Sequence, residues 1–423
     1  MTGTKKGQQG FLPPTIVASM MHQHGETGVQ THINDALQYL NECGYNPQFV
    51  GPEESLRLER ILYYSSRSLS RILGRKNRVG SYLIDRILTR ALRTELSRRL
   101  QGCSSWTVYA QDPLCALAAL LLKTGREQRV VLGVHFNVSQ ADEMVSRGVT
   151  RQGDWLYRLT QRQEQDALTT VDGVVYFSSF MREQIRLRGI APRSSIVVPH
   201  STPISTPDRR AEPRDLIAIG TLEPRKNQAY ILQVLHEAAL RGYRYRLTIV
   251  GSGQERQRLE NLATELGLRG QVLFVGKRLG AASLLAAHKV FVHAAKMESF
   301  GIALVEALAA GRPILAPKVG GISEIIRDGV EGFFWPLDDP CEGAQLLIRI
   351  LEDEWLRQSM SHAARIRFNI GFDRNTVGRK LVSYVRPESS RAEINEPWMS
   401  QQFTEAQAAH IKQHGSDISA IVH

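Results

Sequence analysis

Short β-rich apolar runs alternate with longer helical patterns along the whole chain, and the alternation continues through both halves. Residues 14–19, 130–136, 174–177 and 196–200 read as strands in the first half, and residues 216–219, 247–250, 272–276 and 313–316 in the second. Strands alternating with helices predict parallel sheets of the α/β class. Helical spacing is clearest in Leu83, Ile84, Ile87, Leu88, Ala91, Leu92 and Leu96, which predicts an amphipathic helix over residues 81–100 with an arginine-rich polar face. A further helix is expected from about Gln30 to Cys43. Residues 201–210 are polar and broken by Pro203 and Pro207, and the boundary between two domains is placed there.

One helical segment breaks the apolar pattern. Ile302, Leu304, Val305 and Leu308 favour a helix that Gly311 can cap and Pro313 stops, yet Glu306 sits within it and Glu298 lies just ahead of it. Eight residues at about 100° each would leave the two carboxylates about 80° apart and about 12 Å along the axis if the helix ran through both. They cannot share one atom, but they can grip two parts of an elongated ligand. The free amides and positive dipole end at such a helix start suit phosphate oxygens, so a sugar nucleotide has the right shape. Taken alone, a glutamate on the wet face of an amphipathic helix is the competing explanation.

Several predicted strands end in loops with their own chemistry. Gly220 closes the strand at 216–219 and is followed by Arg225 and Lys226 before a helix near Gln228. Arg225 offers a planar fork to phosphate oxygens and Lys226 a compact charge. Gly251 and Gly253 follow the strand at 247–250, but Arg256 stands where a dinucleotide fingerprint needs its third glycine. A nicotinamide-dependent dehydrogenase is disfavoured on that ground. Lys277 follows the strand ending at Gly276, and His135 lies at the carboxyl edge of the strand at 130–136, where α/β sheets place ligands. A buried structural histidine is the alternative for His135, as is solvation for the loop histidines His22 and His24.

In this order the segments resemble the retaining GT-B glycosyltransferases of family four, the group 1 glycosyl transferases marked by an E-x7-E signature. The resemblance implies two Rossmann-like, doubly wound parallel-sheet domains facing each other across a cleft. It assigns residues 1–205 to an acceptor-binding domain, 206–371 to a donor-binding domain, 372–386 to a helix crossing back to the first domain, and 387–423 to a polar tail. Glu298 would contact the donor sugar and Glu306 the ribose, with Phe300, Gly301 and Ile302 near the sugar and diphosphate. Arg225, Lys226 and Gly220 would form the diphosphate segment, although Thr221 stands where many members have arginine. Gly251 would shape a loop beside the cleft, Lys277 would border the nucleobase, and Gly28 would face the diphosphate from the opposite wall with His135 near the sugar.

The resemblance further implies hexosyl transfer with retention from a nucleoside-diphosphate sugar to a glycan or lipid-linked acceptor, in polysaccharide or glycoconjugate assembly. No D-x-D occurs in the chain, so metal-independent transfer is expected, with no cofactor beyond the donor. Neither the nucleobase nor the sugar is fixed by these motifs. A sugar-nucleotide-binding module that has lost catalysis and serves as a partner subunit is the alternative.

Composition narrows the picture. A chain of 423 residues that is 42% apolar can bury two ordinary cores. Cys43, Cys103, Cys115 and Cys341 are far apart and make no C-x-x-C pair, so neither a zinc site nor a disulfide framework is indicated, and a reducing cytosol fits. The longest apolar run, residues 114–122, is too short to span a bilayer, and the N-terminus lacks the apolar core of a signal peptide. A cytoplasmic protein, soluble or peripheral at the inner face of the plasma membrane, is expected. The formal charge of +11 is concentrated, because residues 57–99 hold twelve basic and three acidic side chains. Attachment of residues 57–100 to an anionic membrane surface and a merely solvated arginine face both remain open. Nucleic acid is not expected, since no aromatic platform accompanies the charge.

Overall fold

The structure, a computed structural model, describes residues 12–23, 28–51, 65, 78–136 and 138–387. The loop 24–27 with His24, most of the basic run 57–77, Asn137 and the tail beyond 387 lie outside the described residues. Two six-stranded sheets carry the fold, and every pairing between named strands is parallel. The first contains β1 (Thr15–Ala18), β2 (Gln48–Val50), β3 (Trp106–Ala110), β4 (Gln128–Val134), β5 (Gly173–Tyr176) and β6 (Ser195–Val197), in the order β2-β1-β3-β4-β5-β6. The second contains β7 (Arg214–Ile219), β8 (Leu247–Val250), β9 (Val272–Gly276), β10 (His288–Val292), β11 (Ile314–Ala316) and β12 (Gly332–Phe334), in the order β12-β11-β10-β7-β8-β9. Both sheets fall within one compact unit ending at Val385.

Strand order determines where a ligand can sit. In each sheet the chain starts near the middle, winds outward one way and then returns to wind the other, leaving a switch point between β1 and β3 and another between β10 and β7. Crossovers leave the switch point in opposite directions, so a crevice opens at the carboxyl ends of those strands. The loops after β7 and β10 carry Lys226 and Glu298, and both flank the second switch point.

Helices cover the sheets: α1 (Gly28–Glu42), α2 (Arg78–Leu100), α3 (Pro113–Leu120), α4 (Gln140–Ser146), α5 (Trp155–Thr170) and α6 (Ser179–Leu187) in the first half. The second half has α7 (Gln228–Leu240), α8 (Arg256–Glu265), α9 (Ile302–Ala309), α10 (Ile322–Ile325), α11 (Pro340–Glu352), α12 (Glu354–Gly371) and α13 (Arg374–Val385). Local sequence explains several starts. Asp112 caps α3 by accepting from Cys115 N, with Pro113 at the first helical position, and Asp339 with Pro340 does the same for α11. Such caps satisfy amides that have no partner within the helix, each worth about 1 kcal/mol.

Helix α13 belongs to the first core, not the second. Val377, Leu381, Val382 and Val385 cluster with β1, β3 and β4 residues. The Tyr39 hydroxyl of α1 donates to Asn375 O at 3.1 Å, and the Tyr384 hydroxyl meets Val174 N at 3.2 Å and Ser194 Oγ at 2.9 Å. Gly378 is required at that seam, because a Cβ there would lie 2.2 Å from the Tyr39 ring. The helix begins at Arg374 instead of residue 372, because Phe372 is buried at the C-terminal cap of α12.

Helix α2 starts three residues before its expected position and divides along its length. Leu88, Ala91, Leu92 and Leu96 are buried as their spacing implies, but Leu83 is 46% exposed, contrary to its place in the expected apolar stripe. The amino-terminal part of α2 extends past the core, where Tyr82 packs edge-on against Trp155, itself 48% exposed. At the other end, buried Glu95 accepts from Arg98 and Arg99, so those two arginines are tied down and Arg86, Arg90 and Arg93 form the exposed basic face.

Candidate active site

Three of the expected donor residues converge at the switch point of the second sheet. Pro224–Lys226 form one turn of 3₁₀ helix ahead of α7, and Asn227 takes a left-handed conformation (φ 53°) between the two. This kink turns both cations back toward the loop after β10. Lys226 Nζ bonds the Glu298 carboxylate, and Arg225 Nη1 lies 3.9 Å from the same oxygen. Arg225 also donates to Met297 O at 2.8 Å and to Glu223 Oε1 at 2.8 Å. His293, at the end of β10, completes the cluster with Nε2 3.6 Å from Glu298 Oε2. Burial alone would push the Glu298 carboxyl up, but the Lys226 ammonium and the His293 ring together hold it well below the ordinary carboxylate range. His293 is lowered by burial, against the pull of Glu298.

Gly301 is the N-cap of α9 and has φ 108°, a backbone state that side chains rarely adopt. No side chain caps this helix, so its first amides remain available beside Glu298. Phe300 is buried in the apolar cluster beneath α9, and Ile302 is the first helical residue. From the first half, Gly28 approaches so closely that a Cβ there would lie 2.8 Å from Ile302 Cδ1. The start of α1 therefore touches the start of α9.

The remaining expected residues lie outside this cluster. Gly220 lies beside the Lys226 stem, and a Cβ on Gly251 would be 1.8 Å from Gly220 O. Gly251 thus serves the packing of one strand-end turn on another. Glu306 stands apart from the Glu298 cluster and lines a cavity of about 360 Å³ shared with the linker residues Pro203, Ile204 and Pro207 and with Arg312 and Arg365. It is half-buried in that lining, and desolvation pushes its carboxyl up to about 7. Lys277 follows β9 in the loop leading toward the 3₁₀ segment Ala281–Ala287.

His135 is half-buried, and its Nε2 lies 2.9 Å from Gln111 Oε1. An amide oxygen only accepts, so the ring proton sits on Nε2 and Nδ1 is left as an acceptor. Around it is a cluster that sequence reasoning missed. His135 stacks on Phe177 at 4.5 Å, Phe177 on His200 at 4.0 Å, and His32 lies against His135, Phe177 and His200 at 5.3, 4.6 and 5.1 Å. His200 also meets Phe300 edge-on at 5.1 Å, bridging the halves. Burial lowers all three imidazoles, His32 to about 3, and His135 and His200 well below the ordinary value, with the neighbouring rings adding to the effect. These rings are neutral at pH 7. His135 at a strand edge and His200 directly after an apolar strand were the sequence signals for this cluster, and neither pointed to His32 or Phe177 beside them.

Comparison with known proteins agrees with this arrangement. Residues 205–367 match the family described as glycosyl transferases group 1, and residues 27–200 match the glycosyl transferase 4-like domain. The chain belongs to the group 1 glycosyltransferases, with the two-sheet GT-B architecture. Among its relatives it is 37% identical to N-acetyl-alpha-D-glucosaminyl L-malate synthase of Bacillus anthracis over 120 residues, covering 28% of this chain and 32% of that protein. It is 35% identical to the phosphatidyl-myo-inositol mannosyltransferase of Mycolicibacterium smegmatis over 150 residues, covering 34% of this chain and 38% of that protein. These matches span well under half the length of either relative. Fold similarity extends further: sucrose-phosphate synthase from Thermosynechococcus elongatus superposes with a TM-score of 0.68 at 17% identity, over 89% of this chain and 99% of that one. The Anabaena HepE structure, in complex with UDP and glucose, gives 0.65 at 16% identity over 88% and 99%.

Proposed function

We propose that the protein transfers a hexosyl group from a nucleoside-diphosphate sugar to a glycan or lipid-linked acceptor, retaining configuration and using no divalent metal. The observation that carries this reading is the convergence of Glu298, Lys226 and Arg225 at a switch point, beside the uncapped amide end of α9. A departing nucleoside diphosphate needs cations and amide donors, and both are present there. Without donor, the two cations are engaged by Glu298 and Glu223. A diphosphate competes for them, which releases Glu298 to accept hydrogen bonds from sugar hydroxyls. Because Glu298 stays ionised, it acts only as an acceptor. Glu306, one helical turn deeper, faces the ribose.

Chemistry follows from what these groups leave undone. Once released, Glu298 accepts from the sugar hydroxyls and is not directed at the anomeric carbon as a nucleophile for double displacement. The acceptor oxygen therefore bonds the anomeric carbon on the face from which the phosphate leaves, and its proton passes to the departing phosphate oxygen. Lys226, Arg225 and the α9 amides stabilise the developing charge, each contact contributing about 3 kcal/mol in a closed cleft. The wall opposite, with Gly28 and neutral His135, excludes water and presents the acceptor. Among the described residues no helix is long and apolar enough to cross a membrane. The exposed Arg86, Arg90 and Arg93, with Val79 and Leu83 on the same helix, suit an anionic bilayer face at which a lipid-linked acceptor would be met, and we place the protein there, on the cytoplasmic side.

A panel of UDP-, GDP- and ADP-sugars, assayed with EDTA, tests the reading. Turnover of one donor by the wild type, lost in both Lys226→Ala and Glu306→Ala, is expected. Thermal stabilisation by a donor without turnover would point to a binding module, and no stabilisation by any donor would overturn the site.

A further inference from the structure

We propose that Glu324 is a positioning residue that latches the two halves together and so fixes the loop bearing Glu298. Its catalytic consequence rests on the transferase reading above, but the latch is defined by geometry alone. Glu324 lies in α10, immediately after Gly320 and Gly321. These glycines form the floor of the 298–300 loop: a Cβ at Gly320 would lie 1.9 Å from Glu298 O, and one at Gly321 would lie 2.3 Å from Ser299 O. Gly321 N donates to Glu298 O at 2.9 Å. Arg367 secures the same turn by donating to Glu324 O at 2.7 Å and Ile325 O at 3.1 Å.

From this floor the Glu324 side chain reaches into the other half. Its two oxygens accept from Ser179 N and Phe180 N, both at 2.7 Å, which are the first two amides of α6. Ser178 completes the junction, accepting from Met181 N at 3.1 Å while its hydroxyl donates to Ser299 O at 2.6 Å. The first three amides of α6 are thus satisfied by one residue from each half. A carboxylate on two helix amides is a charge-assisted contact aligned with the helix dipole. Both Glu324 and the start of α6 retain solvent access, so water can replace the contact when the halves part. That makes it a reversible latch. The loop carrying Glu298 is held from below by α10 and from across the junction by Ser178, and it takes its bonded position only when α6 is engaged.

Hydrogen exchange on the full chain without substrate tests the latch directly, using Glu324→Ala, Glu324→Gln and Ser178→Ala. In Glu324→Ala, amides at Ser179 and Phe180 and in the 298–301 loop are expected to exchange about tenfold faster, with the sheet strands unchanged. Glu324→Gln keeps one acceptor and should fall between. Unchanged exchange at α6, or acceleration confined to α10 and α12, would overturn the proposal in favour of local support within the second half. With a donor that the wild type turns over, Glu324→Ala should lower kcat on the order of a hundredfold while donor affinity by calorimetry stays within about twofold. A parallel loss of affinity would also count against it. Absence of wild-type turnover would bear on the transferase reading and leave the exchange result to decide the latch.

Discussion

The carboxyl edges of the two sheets face chemistry from opposite extremes. On the second sheet, Glu298, Lys226, Arg225 and His293 form a charged cluster whose members hold one another in place. On the first, His32, His135, His200, Phe177 and Tyr109 form a largely buried stack of rings whose imidazoles are held neutral by desolvation. Under the proposed function, charge belongs where a diphosphate is bound and released. On the same reading, a neutral wall suits the approach of a hydroxyl without competing cations or water, and its low local dielectric strengthens the charges across the gap.

Substitutions can break this contrast from either side. The largest effect is expected from Lys226→Ala, which should lower donor turnover about a thousandfold. It should also move the acidic limb of the pH–rate profile upward. In the wild type the ion pair keeps Glu298 ionised to low pH, and the stability it contributes is lost only as pH falls toward that depressed value. Without Lys226, burial dominates and Glu298 takes up a proton more readily. Next is Gly28→Val, whose side chain would press on Ile302 and hold the walls apart. Its kcat should fall on the order of a hundredfold with donor affinity retained, as read by steady-state kinetics beside calorimetry.

Gly320→Ala should cost about 1–3 kcal/mol in denaturant unfolding, since φ 54° and the Glu298 carbonyl both oppose a side chain. A smaller effect tests the neutral wall. Below about pH 6.5 the unfolded chain protonates these histidines while the native stack resists, so each subtracts up to about 1.4 kcal/mol per pH unit until its native pKa is reached. Glu306 and Asp85, both pushed up to about 7, act in the opposite sense as pH falls from there. The difference between wild type and His200→Phe isolates the imidazole, and the variant should lose less stability between pH 6.5 and 5. Smallest is the surface effect: Arg86→Glu should weaken flotation with anionic vesicles by about 1–2 kcal/mol, and equal binding to neutral vesicles would remove the membrane reading.

What the chain disclosed beforehand follows from the range of each interaction. Parallel strands, the helix carrying Glu306 and the cations before α7 are local patterns, and local patterns survive in sequence. Glu298 and Lys226 were expected in one site, but not that they would bond each other without a donor. His293 gave no signal, because its meaning depends on lying beside a carboxylate supplied by a different loop. The same holds for Glu324 and Ser178, whose partners are more than a hundred residues away. Gly251 was legible as a special glycine, but not that it packs against Gly220 O, because that neighbour comes from a different strand end. Leu83 fell outside the core because spacing identifies a helix face but not where its neighbours end.

Helix α13 has a bearing on how the molecule is assembled during synthesis. Val198 and Val377 share one core, yet the whole second sheet is translated between them. The first sheet thus emerges from the ribosome with an open seam at Tyr39 and Val174, and it stays open until the other half has been made. Helix α13 then closes it like a clasp, so the first half is not finished before the second has been made.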